Sequence, residues 1–357
     1  MKIIIDKIAS VTKNIPLEHE VELGTDIMAK EGSVIAVEVL KDKKIYNQLE
    51  LTSGRMATLY KGDIVIVALG NRRALKGYVG EVPKEIKPGD IIHLLNLGGV
   101  AGICTSANIS VVGYPLKIRV LGAVLDKQKK QINLHQYRLF ESTDHILLPI
   151  PLILISGTCM NVGKTTVACE IIKSGSRHGF KIFAAKMAGI AALKDSLNME
   201  DHGAKKTVSM IDAGYTSSIV SKEKVVAMIK GAIRYLAGEN PDYIVLELGD
   251  GIFGEYGVLE ILKDKEIQKN LCVHIGCAHD PMGAVKMYEI CKEIGAPIHL
   301  VSGPVTDNSV GIKFVKDHLS LKAINGQKNG SKIFPYLLKN YLQQKTKSFN
   351  KKKVLVE

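Results

Sequence analysis

The residues with the most specific chemistry are Gly163, Lys164 and Thr165, which follow the apolar segment 152–156. A buried strand, a glycine loop and the start of a helix in this order create an anion site, because the N–H groups of the loop and of the first helical turn point at one spot. A lysine there reaches the β- and γ-phosphates, and a threonine hydroxyl ligates Mg²⁺. The segment therefore predicts a phosphate-binding loop (P-loop) for a nucleoside triphosphate.

The spacing of this loop departs from the common pattern, because five residues separate Gly157 from Gly163 where the usual loop has four. The string 157–165, Gly-Thr-Cys-Met-Asn-Val-Gly-Lys-Thr, resembles the Gly-Thr-x-x-x-Val-Gly-Lys-Thr loop of dethiobiotin synthetase and its relatives. The resemblance covers about residues 151–310. It implies ATP and Mg²⁺ as cofactors, with nucleotide contacts from Gly157, Thr158, Asn161, Val162, Gly163, Lys164, Thr165 and Thr166.

Lys186 ends the second predicted strand of this region, in Ala-Ala-Lys-Met-Ala-Gly. The segment resembles the Lys-Pro-x-x-(Ser/Thr)-Gly element of the same family, although the proline is absent. The resemblance implies that Lys186 is catalytic and stabilises charge during phosphoryl transfer. A solvated surface lysine is the alternative interpretation.

An acidic loop follows, with Asp195, Glu200 and Asp201 beside His202. Because Mg²⁺ takes few protein oxygens and keeps several waters, one or two carboxylates besides Thr165 suffice. Asp201 is our candidate metal ligand in preference to Asp195. An acidic loop that is merely solvated is the alternative.

The strand Tyr243–Leu248 is apolar apart from Glu247, and Asp250 follows it. An acid at such a strand end is the expected ligand of a magnesium–nucleotide complex. The segment resembles the Val-Glu-Gly-x-Gly-Gly turn of the family, with Leu248 in place of the first glycine. We assign Glu247 to the metal and Asp250 as a candidate catalytic base.

Pro304 follows the last predicted strand, at the place where related folds hold the nucleobase. The sequence has no Asn-Lys-x-Asp guanine signature, so ATP is preferred to GTP by default.

Beyond Pro151 the sequence alternates between strand and helix patterns, which is typical of a mostly parallel sheet. Ligands of such sheets bind at the carboxyl ends of the strands. The predicted strands are 152–156, 181–186, 243–248, 271–276 and 297–302, and the predicted helices are 164–178, 223–237, 282–294 and 309–318. The fold class is therefore α/β, with a C-terminal P-loop domain at 149–325.

Residues 1–148 differ, because short alternating apolar stretches such as 33–40 and 63–69 are separated by frequent turn signals. This pattern predicts a smaller β-rich domain, a barrel or a sandwich, which would shape the substrate pocket. Its glycine-rich loops carry Arg72, Arg73 and Asn96. Two interpretations of these three residues stand side by side: they contact the substrate, or they only form turns.

The net charge of +12 arises partly in the segment 326–357, where lysines cluster in a polar stretch. We interpret this segment as a solvated C-terminal tail. Nucleic-acid binding is disfavoured because no aromatic residues are interleaved with the basic ones.

The 357 residues include six scattered cysteines without a Cys-x-x-Cys pair, which indicates a reducing compartment and no structural metal. The N-terminus lacks the apolar core of a signal peptide, and the longest apolar run is too short for a membrane span. We expect a cytoplasmic protein that has no membrane partner.

No Ser/His/Asp triad or redox pair stands out, so phosphoryl transfer is the chemistry expected. The first hypothesis is an ATP- and Mg²⁺-dependent ligase or kinase that activates or phosphorylates a small acidic or amine-bearing substrate. The alternative is a nucleotide-dependent switch or cofactor-delivery NTPase that acts on a protein partner. A homo-oligomer is expected because relatives often place a site at a dimer interface, although the absence of a lysine at 158–162 disfavours a MinD-type sandwich dimer.

Overall fold

The computed structural model describes residues 1–343, and these form two compact units. Unit 1 contains Met1–Phe140 together with Ile190–Lys194 and Ser209–Ile219. Unit 2 contains Glu141–Gly189, Asp195–Val208 and the described chain from Val220 to residue 343. Two short segments of the C-terminal half of the sequence therefore fold as part of the N-terminal unit.

Unit 1 is built almost wholly from short strands with one short helix. Its elements are β1 (Lys2–Ile4), β2 (Lys7–Ile8), β3 (Glu20–Gly24), β4 (Val34–Val39), β5 (Gln48–Glu50), β6 (Met56–Thr58), β7 (Ile64–Leu69), β8 (Arg72–Arg73), β9 (Tyr78–Glu81), β10 (Ile91–Leu94), β11 (Val100–Ala107), α1 (Ile109–Val112) and β12 (Leu116–Val124). Strand β12 pairs with β4, β4 with β7, β7 with β11, β11 with β10, and β10 returns to β12. These pairings close a ring of five strands, so the β-rich domain contains a small barrel. Strands β3 and β1 extend from β12, and strands β9 and β8 extend from β11.

Buried carboxylates fix the two added segments within unit 1. Glu50 is fully buried and accepts hydrogen bonds from the backbone N–H groups of Leu193 at 2.6 Å and Lys194 at 2.7 Å. Asp212, which is 1% exposed, accepts from Lys13 Nζ at 2.9 Å. Since a buried carboxylate is stable only when it is paired and hydrogen-bonded, these contacts hold the segments in place.

Unit 2 alternates between strands and helices, as the sequence predicts. Its strands are β13 (Leu152–Gly157), β14 (Ile182–Ala188), β15 (Thr207–Ser209), β16 (Tyr243–Leu248), β17 (Leu271–Cys277), β18 (Leu300–Ser302) and β19 (Lys322–Ala323). Its helices are α2 (Lys164–Arg177), α3 (Lys194–Asp201), α4 (Lys222–Ala237), α5 (Val258–Lys263), α6 (Lys265–Asn270), α7 (Pro281–Glu293), α8 (Ser309–Leu319), α9 (Gly326–Asn329) and α10 (Ile333–Leu337).

The seven strands of unit 2 form one sheet in the order β15-β14-β16-β13-β17-β18-β19. Strand β13 pairs in parallel with both β16 and β17, so the strand that leads into the glycine loop is central. Every residue of β13, β16 and β17 is buried, which explains their nearly continuous apolar sequences. The prediction of an α/β fold with a P-loop domain after a β-rich domain is thereby confirmed.

The chain beyond residue 325 differs from the expected solvated tail as far as it is described. Helix α10 buries Ile333, Phe334 and Leu337 in the core of unit 2. The ring centroid of Phe334 lies 5.5 Å from that of Phe180 and 6.2 Å from that of Tyr243. The apolar residues of Ile-Phe-Pro-Tyr-Leu outweigh the lysines around them, because burying aromatic side chains is strongly favourable. Residues 344–357, with most of the lysine cluster, lie outside the described residues.

Across residues 1–343, no helix combines the length and the apolar character needed to cross a membrane.

Candidate functional site

The glycine loop joins the buried end of β13 to the first turn of α2. Asn161 and Gly163 both have positive φ, of 60° and 84°, so the loop doubles back before the helix begins at Lys164. A Cβ at Gly157 would lie 2.7 Å from a methyl carbon of Val162, so only glycine allows this curl. The loop therefore closes around the N-terminus of α2, where backbone N–H groups favour an anion.

Lys164 is the buried cation of this loop. Its side chain is 5% exposed, and Nζ donates a hydrogen bond to the Cys159 carbonyl at 2.7 Å. Burial lowers the pKa of Lys164, while the nearby carboxylate of Glu247 acts in the opposite direction. A phosphate in the loop would supply the negative charge that a buried ammonium requires.

Glu247 lies beside the loop because of the strand register. The parallel ladders pair Glu247 of β16 with Ile155 of β13 on one side and with Lys186 of β14 on the other. Thr165 Oγ1 donates to Glu247 Oε1 at 2.8 Å. The sheet therefore brings together one residue from the loop helix and two from neighbouring strand ends.

The second carboxylate oxygen of Glu247 has no hydrogen-bond partner among the described residues, although the side chain is only 1% exposed. A buried charged oxygen without a partner is unfavourable, and a hard cation would compensate it. The described residues contain no cluster of three or more His, Cys, Asp or Glu side chains suited to a metal. Mg²⁺ needs none, because phosphates and waters complete its octahedron, so Thr165 and Glu247 fit this ion.

Lys186 is held between two carboxylates. Its Nζ lies 3.3 Å from Glu247 Oε1 and forms a closer ion pair with Asp195 in the first turn of α3. Burial alone would lower the pKa of Lys186, but the two carboxylates outweigh it, and the pKa is raised. Lys186 therefore remains a cation over the whole physiological range.

Asp201, the candidate ligand chosen from the sequence, is exposed at the far end of α3. It is six residues beyond Asp195, about 9 Å along the helix axis. The hydrogen bonds and ion pairs of Thr165, Glu247 and Lys186 in the described chain do not include Asp201. The helical rise explains the difference, since only the first turn of α3 reaches the strand ends.

Asp250 follows β16 with a positive φ of 65°. Burial raises the pKa of Asp250, while a hydrogen bond from the Gly251 backbone lowers it. A Cβ at Gly251 would lie 2.4 Å from the Thr158 carbonyl, and one at Gly249 would lie 2.2 Å from the Ala188 carbonyl. Gly251 therefore lets the turn lie against the phosphate loop, and Gly249 lets it lie against the end of β14, despite Leu248.

Beside the loop lies an open pocket with about 380 Å³ of empty space. Its walls come from the loop, from the first turn of α2 and from the ends of β18 and β19. The lining residues are Asn161, Gly163, Thr166, Val167, Ser302, Gly303, Pro304, Asp307, Asn325, Gly326 and Gln327. This position suits the nucleoside part of a nucleotide whose phosphates lie in the loop.

Two polar side chains of this pocket were not singled out from the sequence. Ser302 is fully buried, and its Oγ has no partner among the described residues. Asn325 donates to Asp307 Oδ1 at 2.8 Å and accepts from the Lys328 N–H at 2.8 Å. The signal for Ser302 was its place at the end of a parallel strand, whereas β19 before Asn325 is too short to stand out from its sequence.

The other loop residues predicted to contact nucleotide have different surroundings. The Thr158 hydroxyl accepts a hydrogen bond from the His279 N–H at 3.3 Å, and the Val162 side chain is fully buried in the core. Thr166 and Pro304 line the pocket. The structure thus brings together the loop, Lys164, Thr165, Lys186 and Glu247.

The fold and this site together define a nucleotide-binding P-loop unit. No protein-family profile and no curated protein matches the chain. Among solved structures, the chain is similar to a DUF1611 family protein from Anabaena variabilis, with 15% identity and a TM-score of 0.39 over 54% of this chain and 59% of that one. It is also similar to FtsY from Thermotoga maritima, with 13% identity and a TM-score of 0.37 over 59% of this chain and 79% of that one.

A third similar structure is chloroplast FtsY from Physcomitrella patens, with 15% identity and a TM-score of 0.35 over 51% of this chain and 61% of that one. The chain thus spans about six tenths of the DUF1611 protein and of the chloroplast FtsY. All three TM-scores lie below 0.5, so these likenesses identify no activity. The dethiobiotin synthetase likeness remains a resemblance of sequence motifs.

Proposed function

We propose that the protein is an ATP- and Mg²⁺-dependent enzyme of the ligase or kinase type, which activates or phosphorylates a small acidic or amine-bearing substrate. The observation that carries the proposal is the buried, unpartnered oxygen of Glu247 beside the Thr165 hydroxyl. Bound Mg²⁺ would be held there and would neutralise charge on the phosphates.

The two lysines have separate parts in this proposal. Lys164 would exchange the Cys159 carbonyl for the β- and γ-phosphates, since its ammonium already lies within the loop. Lys186 would stabilise the charge that spreads over the transferred phosphoryl group. The ion pairs with Asp195 and Glu247 fix its side chain in one place, which favours preorganised stabilisation.

Asp250 would accept the proton of the attacking group. Burial raises its pKa, which brings a carboxylate closer to the range in which a general base works well. Gly251 lets its turn approach the Thr158 carbonyl of the loop, and the charge of Lys164 acts on the Asp250 carboxylate.

The test is ADP release from Mg·ATP, with Mg·GTP in parallel, while pools of amino acids and small carboxylic acids are screened as stimulants. Strong stimulation by one pool with ATP would support the proposal and define the substrate class. Slow turnover that no pool changes, or a preference for GTP, would contradict it and favour a nucleotide-dependent switch.

Lys164→Ala is the matching variant, and Lys173→Ala on the same helix is its control. We expect Lys164→Ala to lower turnover by about 10²–10³-fold or more, because a preorganised positive charge is lost from the loop. Lys173→Ala should keep normal turnover. Full activity of Lys164→Ala, with a normal thermal melting curve, would refute the assignment of the site.

A further inference from the structure

A second group of cations lies in unit 1, among Lys43, Tyr46, Arg72 and Tyr78, which we call the Arg72 cluster. The two tyrosine rings pack edge to face with centroids 5.7 Å apart. Lys43 Nζ lies 5.5 Å and 5.2 Å from the centroids of Tyr46 and Tyr78, and Arg72 Cζ lies 5.8 Å from each. Two cations therefore share the same pair of aromatic rings.

Neither cation of the cluster is in an ion pair with a carboxylate in the described part of the chain. Arg72 is 5% exposed, and its Nη1 donates to Tyr46 Oη at 3.1 Å and to the Leu95 carbonyl. Lys43 Nζ donates to Tyr78 Oη at 2.6 Å and to the Val112 carbonyl at 2.9 Å. All these acceptors are neutral, so the positive charge of the cluster is not compensated.

Three donors of the cluster have no acceptor among the described residues. The Nε–H of Arg72 is buried and has no partner among the described residues. Lys43 has a third ammonium proton, and Tyr46 Oη accepts from Arg72, which leaves its own proton to donate. These donors come from three neighbouring side chains, since Lys43 and Arg72 both lie over the ring of Tyr46.

The backbone around the cluster is adapted to this arrangement. A Cβ at position 77 would lie 2.8 Å from Arg72 Nη2, so Gly77 makes room for the guanidinium. Tyr46 has a φ of 56°, which is unfavourable for an aromatic residue. Strain at a residue that holds a cation is typical of ligand sites, where the surrounding structure maintains it.

We propose that the Arg72 cluster binds a carboxylate group of a small molecule. A guanidinium matches the planar geometry of a carboxylate through two parallel N–H bonds, and the tyrosine rings offer an apolar contact for the rest of the ligand. The identification of this molecule as the acidic substrate rests on the proposed function, whereas the binding itself does not. Burial lowers the pKa of Lys43 to about 8, in agreement with an ammonium that lacks an anionic partner.

The test measures labelling of lysines by an amine-reactive reagent in the intact protein, read by peptide mass spectrometry. Succinate, glutarate, inorganic phosphate and chloride are added separately as probes. We expect succinate or glutarate to slow labelling of Lys43 several-fold and to leave the exposed neighbour Lys44 unchanged. Absence of protection by both dicarboxylates, or equal protection by phosphate or chloride, would overturn the proposal.

Three variants make the test specific. Arg72→Lys keeps the charge but removes the planar guanidinium with its parallel N–H groups, so protection of Lys43 should be lost. Tyr46→Phe removes only one hydroxyl and should weaken protection, which keeps the proposal testable if Arg72→Lys fails to fold. Lys44→Ala should retain full protection, and retention in Arg72→Lys and Tyr46→Phe as well would overturn the site.

The outcome is separable from that of the proposed function. Loss of the carboxylate site with intact, stimulated Mg·ATP turnover would remove this inference alone. Protection of Lys43 without turnover in any screen would preserve the binding site and refute the enzyme.

Discussion

Two half-buried lysines, Lys186 in unit 2 and Lys43 in unit 1, have opposite surroundings. In unit 2, Lys186 lies between the carboxylates of Asp195 and Glu247, and its pKa is raised. In unit 1, Lys43 contacts only neutral oxygens, and burial lowers its pKa to about 8. Burial alone therefore disfavours the charged form of a lysine, and a neighbouring carboxylate reverses the direction of the pKa shift.

Among the variants of the groups compared above, removal of one of the two carboxylates beside Lys186 should lower turnover the most. Glu247→Gln would remove the proposed Mg²⁺ ligand and one of the two partners of Lys186, so we expect turnover to fall by about 10²-fold or more. The Mg²⁺ concentration needed for half-maximal turnover should also rise. Both are measured by titrating Mg²⁺ at saturating nucleotide.

Asp201→Asn and Asp195→Asn are the controls for that titration. Asp201 is exposed and away from the strand ends, so its variant should keep a normal Mg²⁺ dependence. Asp195→Asn should lower turnover with little change in the Mg²⁺ requirement, because Asp195 contacts Lys186. If turnover of Glu247→Gln depended on the Mg²⁺ concentration as the unaltered protein does, Glu247 would be a partner of Lys186 and not a ligand of Mg²⁺.

A smaller effect is expected in the pocket beside the loop. Ser302→Ala removes the unpartnered buried hydroxyl, so we expect the KM for the nucleotide to rise by roughly fivefold, about 1 kcal/mol of binding, with kcat nearly unchanged. Ser33→Ala removes another buried, unpartnered hydroxyl, in unit 1, and should leave the KM unchanged. An unaltered KM for Ser302→Ala would remove this serine from the proposed nucleoside contacts.

The smallest effect concerns how the affinity of the Arg72 cluster for a carboxylate depends on pH. Below its pKa of about 8, Lys43 is an ammonium and attracts a carboxylate, and as the pH rises through this value the charge is lost. We expect the affinity for succinate to be about twofold lower at pH 8 than near neutral pH, and to fall further above it. Thermal-shift titration with succinate across this range measures it, with Lys43→Met as the variant without the alkaline decrease. An affinity that stays constant to pH 9 would show that Lys43 is not involved.

Much of unit 2 could be predicted because its signals are local. The nine strands and helices expected after Pro151 all occur, with ends that differ by a few residues. A buried parallel strand is a continuous apolar run, and a glycine loop before Lys164 is distinct in a short window. The short elements β15, β19 and α9 lack such signals and were not predicted.

The candidate site was harder to predict from the sequence, because its residues are brought together by strand register and not by their spacing along the chain. The end of a strand indicated Glu247 and Lys186, and the parallel ladder then placed them side by side. The choice between Asp195 and Asp201 depended on where α3 begins, which no nearby residue type determines. Lys43 and Arg72 lie near each other because both pack on the rings of Tyr46 and Tyr78, whereas the sequence alone shows only two basic residues in separate segments.

The segments 190–194 and 209–219 also determine how this protein can be divided. A gene cut after residue 148 would encode a barrel in which Glu50 has lost the N–H groups of Leu193 and Lys194, and in which Lys13 has lost Asp212. If the two halves were recombined with other genes, the buried carboxylates of Glu50 in one product and of Asp212 in the other would each lose a partner. A single cut in the gene therefore cannot separate the barrel from the P-loop unit without removing residues that belong to the barrel.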